Sequence, residues 1–370
     1  MIYLDYAASS VPFPKAIDIS ASTARETYGN PGALHGAGTA ARKLLQESRK
    51  TVARLLQVRP EEVFFTSGGT ESNNWAVRAG CRIPGKKHIV CSAAEHSSVL
   101  EAVRRMQRQG YAVTYLEPGP GGIISPEAVE AALRSDTALL CVQAVNNETG
   151  VIQDVQALAA AAHRHGVRYL CDAVQSFGHV SQPLHSADLI SLSAHKLGGP
   201  RGVGCLVIRY PNTLEPLIDG GGQEFSLRSG TENLPGIAGF AAAAELSCRE
   251  LSRQQRPRNL TALLEAELRA MDPGIQIAGE NNPRSSILSC AFPGFSGEEM
   301  VMRLSLKGIC VSPGAACAAR SGAPSHVLLS MGYSPENAAR FVRFSPGWNT
   351  TEDEILKTIE AIQTICSARR

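Results

Sequence analysis

At 370 residues the chain is long enough to bury one large core and a second, smaller one. Its content, 44% hydrophobic and 19% charged, suits a compact globular enzyme and excludes a disordered chain. A formal net charge of +2 gives no electrostatic reason to expect a nucleic acid or an anionic membrane as partner. Residues 1–8 lack a basic stretch followed by an apolar one, and the nearest approach to a membrane-length apolar run, 237–244, is short and alanine-rich. A soluble, cytoplasmic protein is therefore expected. The ten cysteines contain no CxxC pair, so neither a zinc ribbon nor a thioredoxin-like site is supported, no metal is expected, and disulfides are not anticipated.

From about residue 60, short β-branched runs alternate with longer amphipathic ones. The pattern predicts strands at 62–66, 88–91, 111–116, 137–144, 168–172, 188–191 and 204–209, with helices at 70–79, 97–109, 126–134 and 155–165. Strands and helices in this rhythm imply right-handed crossovers and a largely parallel sheet covered on both faces. After Gly220-Gly-Gly-Gln the pattern changes, and a long helix over 234–254 runs into the polar junction Arg253-Gln-Gln-Arg-Pro-Arg. A domain boundary is placed there. Beyond it, helices at 259–271, 298–306, 325–331 and 351–367 and strands at 275–278, 286–292, 309–312 and 340–345 describe a smaller α/β domain.

Chemistry concentrates at strand ends. Lys196, in Ser191-Leu-Ser-Ala-His-Lys196, follows an apolar run and precedes a glycine-rich turn. Desolvation there would lower the amine's pKa and suit it to Schiff-base chemistry, whereas an isolated motif of this kind more often marks a surface loop. Asp172, in Asp172-Ala-Val-Gln175, tips the balance. An acid at the end of a neighbouring strand can pair with a pyridinium nitrogen, the usual partner of a lysine bound to pyridoxal phosphate. Thr66-Ser-Gly-Gly-Thr-Glu-Ser-Asn73 opens a helix after a strand. It is either an anion site built from free N–H groups and the Thr70 hydroxyl or an ordinary capping loop, and it is neither a Walker A loop nor a GxGxxG fingerprint. His96 is either a satisfied loop residue or a ring-stacking acid–base group. His163 and His165, two apart at a helix end, are read as solvated.

The ordered set Tyr3-Leu-Asp-Tyr-Ala-Ala, Gly29-Asn-Pro-Gly-Ala-Leu-His35, Thr66–Asn74, Glu95-His96, Val145-Asn-Asn-Glu-Thr-Gly150, Asp172-Ala-Val-Gln175, Ser193-Ala-His-Lys196, Gly220-Gly-Gly-Gln-Glu224, Arg228-Ser-Gly-Thr-Glu-Asn233, Cys317 and Val342-Arg-Phe-Ser345 resembles the cysteine desulfurases of the NifS/IscS-like group. These are class V aminotransferase-fold enzymes, and the likeness spans essentially the whole chain. It implies fold type I of the pyridoxal phosphate-dependent transferases. The large domain (15–255) would hold a mostly parallel seven-stranded sheet between helices, and the small α/β domain would comprise 1–14 and 256–370. It also implies roles. Lys196 would carry the cofactor and move the substrate Cα proton, Asp172 would pair with the ring nitrogen, Gln175 with the ring hydroxyl oxygen, and His96 would stack on the ring. Gly69, Thr70, Ser193 and His195 would hold the phosphate together with Thr231 of a second subunit, hence a homodimer. Asn147 and Arg343 would bind the carboxylate of L-cysteine, and Cys317 would take the sulfur as a persulfide for an acceptor protein. Iron–sulfur assembly, tRNA or DNA thiolation and thio-cofactor synthesis are all open as destinations. Selenocysteine lyase, a related class V aminotransferase and a silent scaffold of the same fold are the alternatives. Two departures from the group stand out: Phe225-Ser-Leu227 replaces an arginine-containing stretch, and alanines replace small hydroxylated residues around Cys317.

Overall fold

The computed structural model describes residues 1–210, 213–249, 251–314 and 324–368. The chain begins with strand β1 (Ile2–Tyr3) and helices α1 (Pro14–Glu26) and α2 (Gly36–Leu56). It then alternates through β2 (Val63–Thr66), α3 (Gly69–Gly80), β3 (His88–Ser92), α4 (Ser97–Arg108), β4 (Ala112–Leu116), α5 (Pro126–Ala132), β5 (Thr137–Cys141), α6 (Val155–Arg164) and β6 (Arg168–Asp172). Strands β7 (Leu189–Ser193) and β8 (Gly204–Ile208) follow, then helices α7 (Leu234–Cys248) and α8 (Leu251–Met271).

Strands β2 to β8 form one seven-stranded sheet in the order β2-β8-β7-β6-β5-β3-β4. The pairs β7–β6, β6–β5, β5–β3 and β3–β4 are parallel, and only β8 runs against its neighbours β7 and β2. The expected mostly parallel sheet is thus present, with the reversal confined to the strand that follows the lysine turn. Side chains on a strand alternate between faces, and here both faces are dry. Val90, Leu140, Tyr169, Cys171, Ile190 and Leu192 pack into the core under α1, α2, α6 and α7. Ile89, Cys91, Leu139, Cys141, Leu170 and Leu189 pack into the core under α3 and α4.

The later residues continue through β9 (Gln276–Ile277), β10 (Leu288–Ala291), α9 (Gly297–Leu306), β11 (Ile309–Cys310) and β12 (Ser312–Pro313). The last elements are α10 (His326–Ser330), α11 (Pro335–Ala338), β13 (Phe341–Phe344) and α12 (Glu352–Ser367). A four-stranded sheet, β12-β13-β10-β9, packs under α8, α9 and α12 through Leu264, Phe292, Phe344 and Ile362. Strand β1 crosses the chain to pair in parallel with β11. No helix among the described residues is long and apolar enough to cross a membrane, and each described cysteine is unbridged.

Candidate active site

The carboxyl ends of parallel strands are where an open α/β sheet collects ligands. A cavity of about 630 Å³ opens there, lined by residues that follow β3, β5, β6 and β7 and by the start of α3. Register decides which side chains reach it. On β6, Leu170 faces α3 and α4, so Asp172, two residues on, points the same way. There its Oδ2 accepts from Asn73 Nδ2 at 2.7 Å and its Oδ1 from the Val174 N–H at 2.9 Å. On β7, Ile190 and Leu192 face the opposite core, which leaves Ser193 on the cavity side.

Immediately after Ser193 the chain makes a 3-10 turn, 194–196, bringing His195 and Lys196 into the cavity wall. The Lys196 ammonium donates to the carbonyls of Ala7 (2.6 Å) and Ala8 (3.1 Å). Gln175 donates to the same Ala7 oxygen at 2.8 Å. The opening segment of the chain therefore holds the lysine from across the cavity. Burial, with help from Lys196 and Arg201, pulls His195 down to about 4, so it is neutral at ordinary pH.

Helix α3 starts at Gly68 with no side-chain cap, and the first N–H bonded within the helix is that of Ser72, to Gly68 O. The amides of Gly69, Thr70 and Glu71 are thus left pointing out of the helix start, an anion cradle beside Ser193 and His195. The approach is close because of two glycines. Gly68 has φ of +151°, and a Cβ on Gly204 would lie 2.4 Å from Leu192 O and 2.7 Å from Gly68 Cα.

His96 caps α4, its Nδ1 accepting from the Ser98 N–H at 3.2 Å and lying 2.8 Å from Ser98 Oγ. That geometry leaves the ring proton on Nε2. Burial first, then Lys196 and His326, hold its pKa below the usual range, with Asp172 opposing. Beneath it, burial first and then Asp172 raise the Glu95 carboxyl well above its ordinary pKa, and its Oε1 accepts from the Gln143 N–H at 2.7 Å. On the opposite wall Arg343 of β13 is 2% exposed and gives Nη1 to Asn147 O (2.8 Å) and Nη2 to Asp5 Oδ1 (2.9 Å). Its Nε and the Asn147 side-chain oxygen are buried without partners among the described residues.

Of the residues singled out from sequence, Gly69, Thr70, His96, Asn147, Asp172, Gln175, Ser193, His195, Lys196 and Arg343 all line this one cavity. Thr231 does not. It lines a separate cavity of about 140 Å³ with Glu224 and Arg228. Cys317 lies outside the described residues, and the described chain on either side of it ends at Gly314 and resumes at Pro324. His163 and His165 are exposed, as read, and the His163 Nε2 lies 2.8 Å from Asp188 Oδ2. Sequence reasoning missed Glu148 and His326, which also line the cavity, and the carboxylate-orienting role of Asn73. Asn73 was within reach, since it stands one helical turn after Gly69 on the same face of α3.

Phe225, the departure noted in the sequence, has a structural role. Its ring lies 5.1 Å from the Arg49 guanidinium carbon, with Phe65 at 4.9 Å. Arg49 in turn forms a buried bidentate pair with Glu224 (2.6 and 2.9 Å). Glu224, Phe225 and Ser226 all take positive φ, so the segment leading to Thr231 is fixed by a three-residue left-handed turn over a buried ion pair.

The model of the aminotransferase class-V family matches residues 2–357. Cysteine desulfurase IscS of Dictyoglomus turgidum is 36% identical over 377 residues, covering 100% of this chain and 95% of its own. Among solved structures, a NifS-like protein superposes with a TM-score of 0.91 at 33% identity, covering 99% of both chains. SspA in complex with cysteine gives 0.83 at 33% identity, covering 95% of this chain and 100% of its own. The chain belongs to the class-V aminotransferase family and, within it, to the pyridoxal phosphate-dependent cysteine desulfurases.

Proposed function

We propose that this chain takes L-cysteine, releases L-alanine and leaves the substrate sulfur on Cys317 as a persulfide for delivery to an acceptor protein. The observation that carries the reading is the convergence of Lys196, Asp172, His96 and Arg343 on one cavity. The residues present fit pyridoxal phosphate. The uncapped start of α3 with Ser193 and His195 offers donors to a phosphate, Asp172 offers a fixed negative charge to a pyridinium, and Lys196 offers the amine. Bound, the cofactor supplies an electron sink that makes the substrate Cα proton removable.

The chain's own groups do the rest. Asn73 and the Val174 N–H orient the Asp172 carboxylate and hold it in place. Arg343 receives the substrate carboxylate, with its unpartnered Nε as the spare donor. Lys196, released from the Ala7 and Ala8 carbonyls, would move the Cα proton, and His96, its proton on Nε2, would lie beside the cofactor ring and handle protons there. The Cys317 thiolate attacks the substrate sulfur; the carbon–sulfur bond breaks, a sulfur–sulfur bond forms, and the carbon takes a proton to become alanine. The described residues that flank the Cys317 segment are both anchored at this site. Ser312, five residues before Cys317, is paired in register with Arg343, and Ser325, eight residues after it, bonds Glu148.

The division into 15–255 and 1–14 with 256–370 belongs to the same proposal, as do the cytoplasmic location and the homodimer, in which Thr231 reaches the partner's cofactor phosphate. The test is Cys317→Ser. The variant should retain the visible absorbance of the bound cofactor and its change on adding L-cysteine, yet form no persulfide and no alanine. Normal alanine release from it would overturn the assignment.

A further inference from the structure

Residues 146–150 form a turn that is rigid for a visible reason. Asn146 Oδ1 accepts from the N–H groups of Glu148 (2.9 Å) and Thr149 (2.8 Å), while Asn146 Nδ2 donates to Ala94 O at 3.1 Å. On this turn two adjacent residues face different tasks. The Asn147 carbonyl takes Arg343, the candidate carboxylate receptor, and the Glu148 side chain, 5% exposed, accepts from Ser325 Oγ. Ser325 is the N-cap of α10, and the same hydroxyl accepts from the Leu328 N–H at 3.2 Å. The next residue, His326, sets its Nε2 2.9 Å from Glu95 O. The first turn of α10 is thus tied at two points to the cavity wall, and one of those ties passes through a buried carboxyl that makes no ion pair among the described residues.

We propose that Glu148 is a positioning residue for the sulfur-transfer step: through Ser325 it fixes α10 to the turn that also sets Arg343, so that the downstream tether of Cys317 and the substrate-carboxylate site share one support. This rests on Cys317 being the sulfur-accepting residue. A buried side chain so placed acts on the geometry of the attack and not on capture of the substrate. A misplacement of an ångström in such a step costs up to about a hundredfold in rate.

The test uses the cofactor-loaded enzyme and four variants: Glu148→Ala, Ser325→Ala, the double variant and Glu148→Gln. For either alanine variant, kcat for alanine release should fall about tenfold or more. KM and the change in cofactor absorbance on adding L-cysteine should stay within about twofold. The double variant should be no worse than the poorer single one, because both remove the same bond. Glu148→Gln, whose amide oxygen still accepts from Ser325, should recover most of the rate. Hydrogen exchange at Leu328 in the cofactor-free protein should quicken in both alanine variants, a readout independent of turnover. Unchanged kcat in both single variants, additive losses in the double variant, or a rise in KM at constant kcat would each overturn the proposal. Run in parallel, Cys317→Ser separates the two failures: normal turnover by that variant would remove the sulfur-accepting role of Cys317, while the exchange result would still report on the Glu148–Ser325 bond.

Discussion

A buried carboxyl group resists ionisation unless a positive charge or several donors stand against it, and Glu148 has one hydroxyl. Burial pushes it up to about 7 from an ordinary value of 4.5, with Ser325 and Arg343 pulling the other way. The consequence for stability has a definite sign. In the unfolded chain the group loses its proton near 4.5, in the folded chain near 7, so its contribution is fully present below 4.5 and is lost as pH rises through 7. Glu148→Gln cannot ionise. Relative to the parent, the variant should therefore gain stability between pH 4.5 and 7, by at most about 3 kcal/mol, read as urea midpoints at pH 5 and pH 8. A constant difference between the two proteins would show that the carboxyl does not titrate with folding. At this scale the sequence was partly legible. Lys196, Asp172 and His96 announced themselves by standing at strand ends, where the chemistry of an α/β sheet gathers. The Glu148–Ser325 and Arg49–Glu224 bonds did not, because 177 and 175 residues separate the partners and no local pattern marks them.

The junction of β2, α3, β7 and β8 makes the proposed phosphate cradle a property of elements and not of single side chains. Strand β8 returns antiparallel between β7 and β2, with Gly204 opposite both Ser193 and Thr66. A methyl group at 204 has no free space, since it meets the Leu192 carbonyl and the Gly68 backbone. Gly204→Ala should push the start of α3 away from Ser193. The expected outcome is a loss of about 1–3 kcal/mol of stability, seen in thermal unfolding, together with weaker cofactor retention on gel filtration. Full retention with unchanged unfolding would show that the junction can yield. Element by element, strong periodicity was readable: α3 and β6 fall within a residue of their expected bounds. Helices α1 and α2 went unread because they precede the first strand-helix alternation. The expected long helix over 234–254 ends at Cys248, and α8 then starts at Leu251 and runs through Pro257, where the polar junction suggested a break. Tertiary packing of Leu260, Leu264 and Leu268 against the four-stranded sheet outweighs the local signal of that proline.

For the whole molecule, the position of Thr231 is the telling one. It stands on a stiff segment, outside the cavity that collects the other candidate cofactor-binding residues. In the proposed homodimer, the Arg49–Glu224–Phe225 brace would hold this segment ready for the partner's site. Sedimentation should give twice the chain mass of 39.3 kDa, and Thr231→Ala should weaken cofactor retention in both sites of the dimer. A fully active species of single-chain mass would sink this arrangement.

The hold of Ala7 and Ala8 on Lys196 also bears on how the protein is made. They follow β1, whose partner is Ile309–Cys310, and Arg343 arrives later still. The residues of β1 must wait for some three hundred more before they can pair, and contacts of such long range form slowly. Until then the cavity lacks the wall that Arg343 supplies, so firm retention of the cofactor is expected only after β13 has been made.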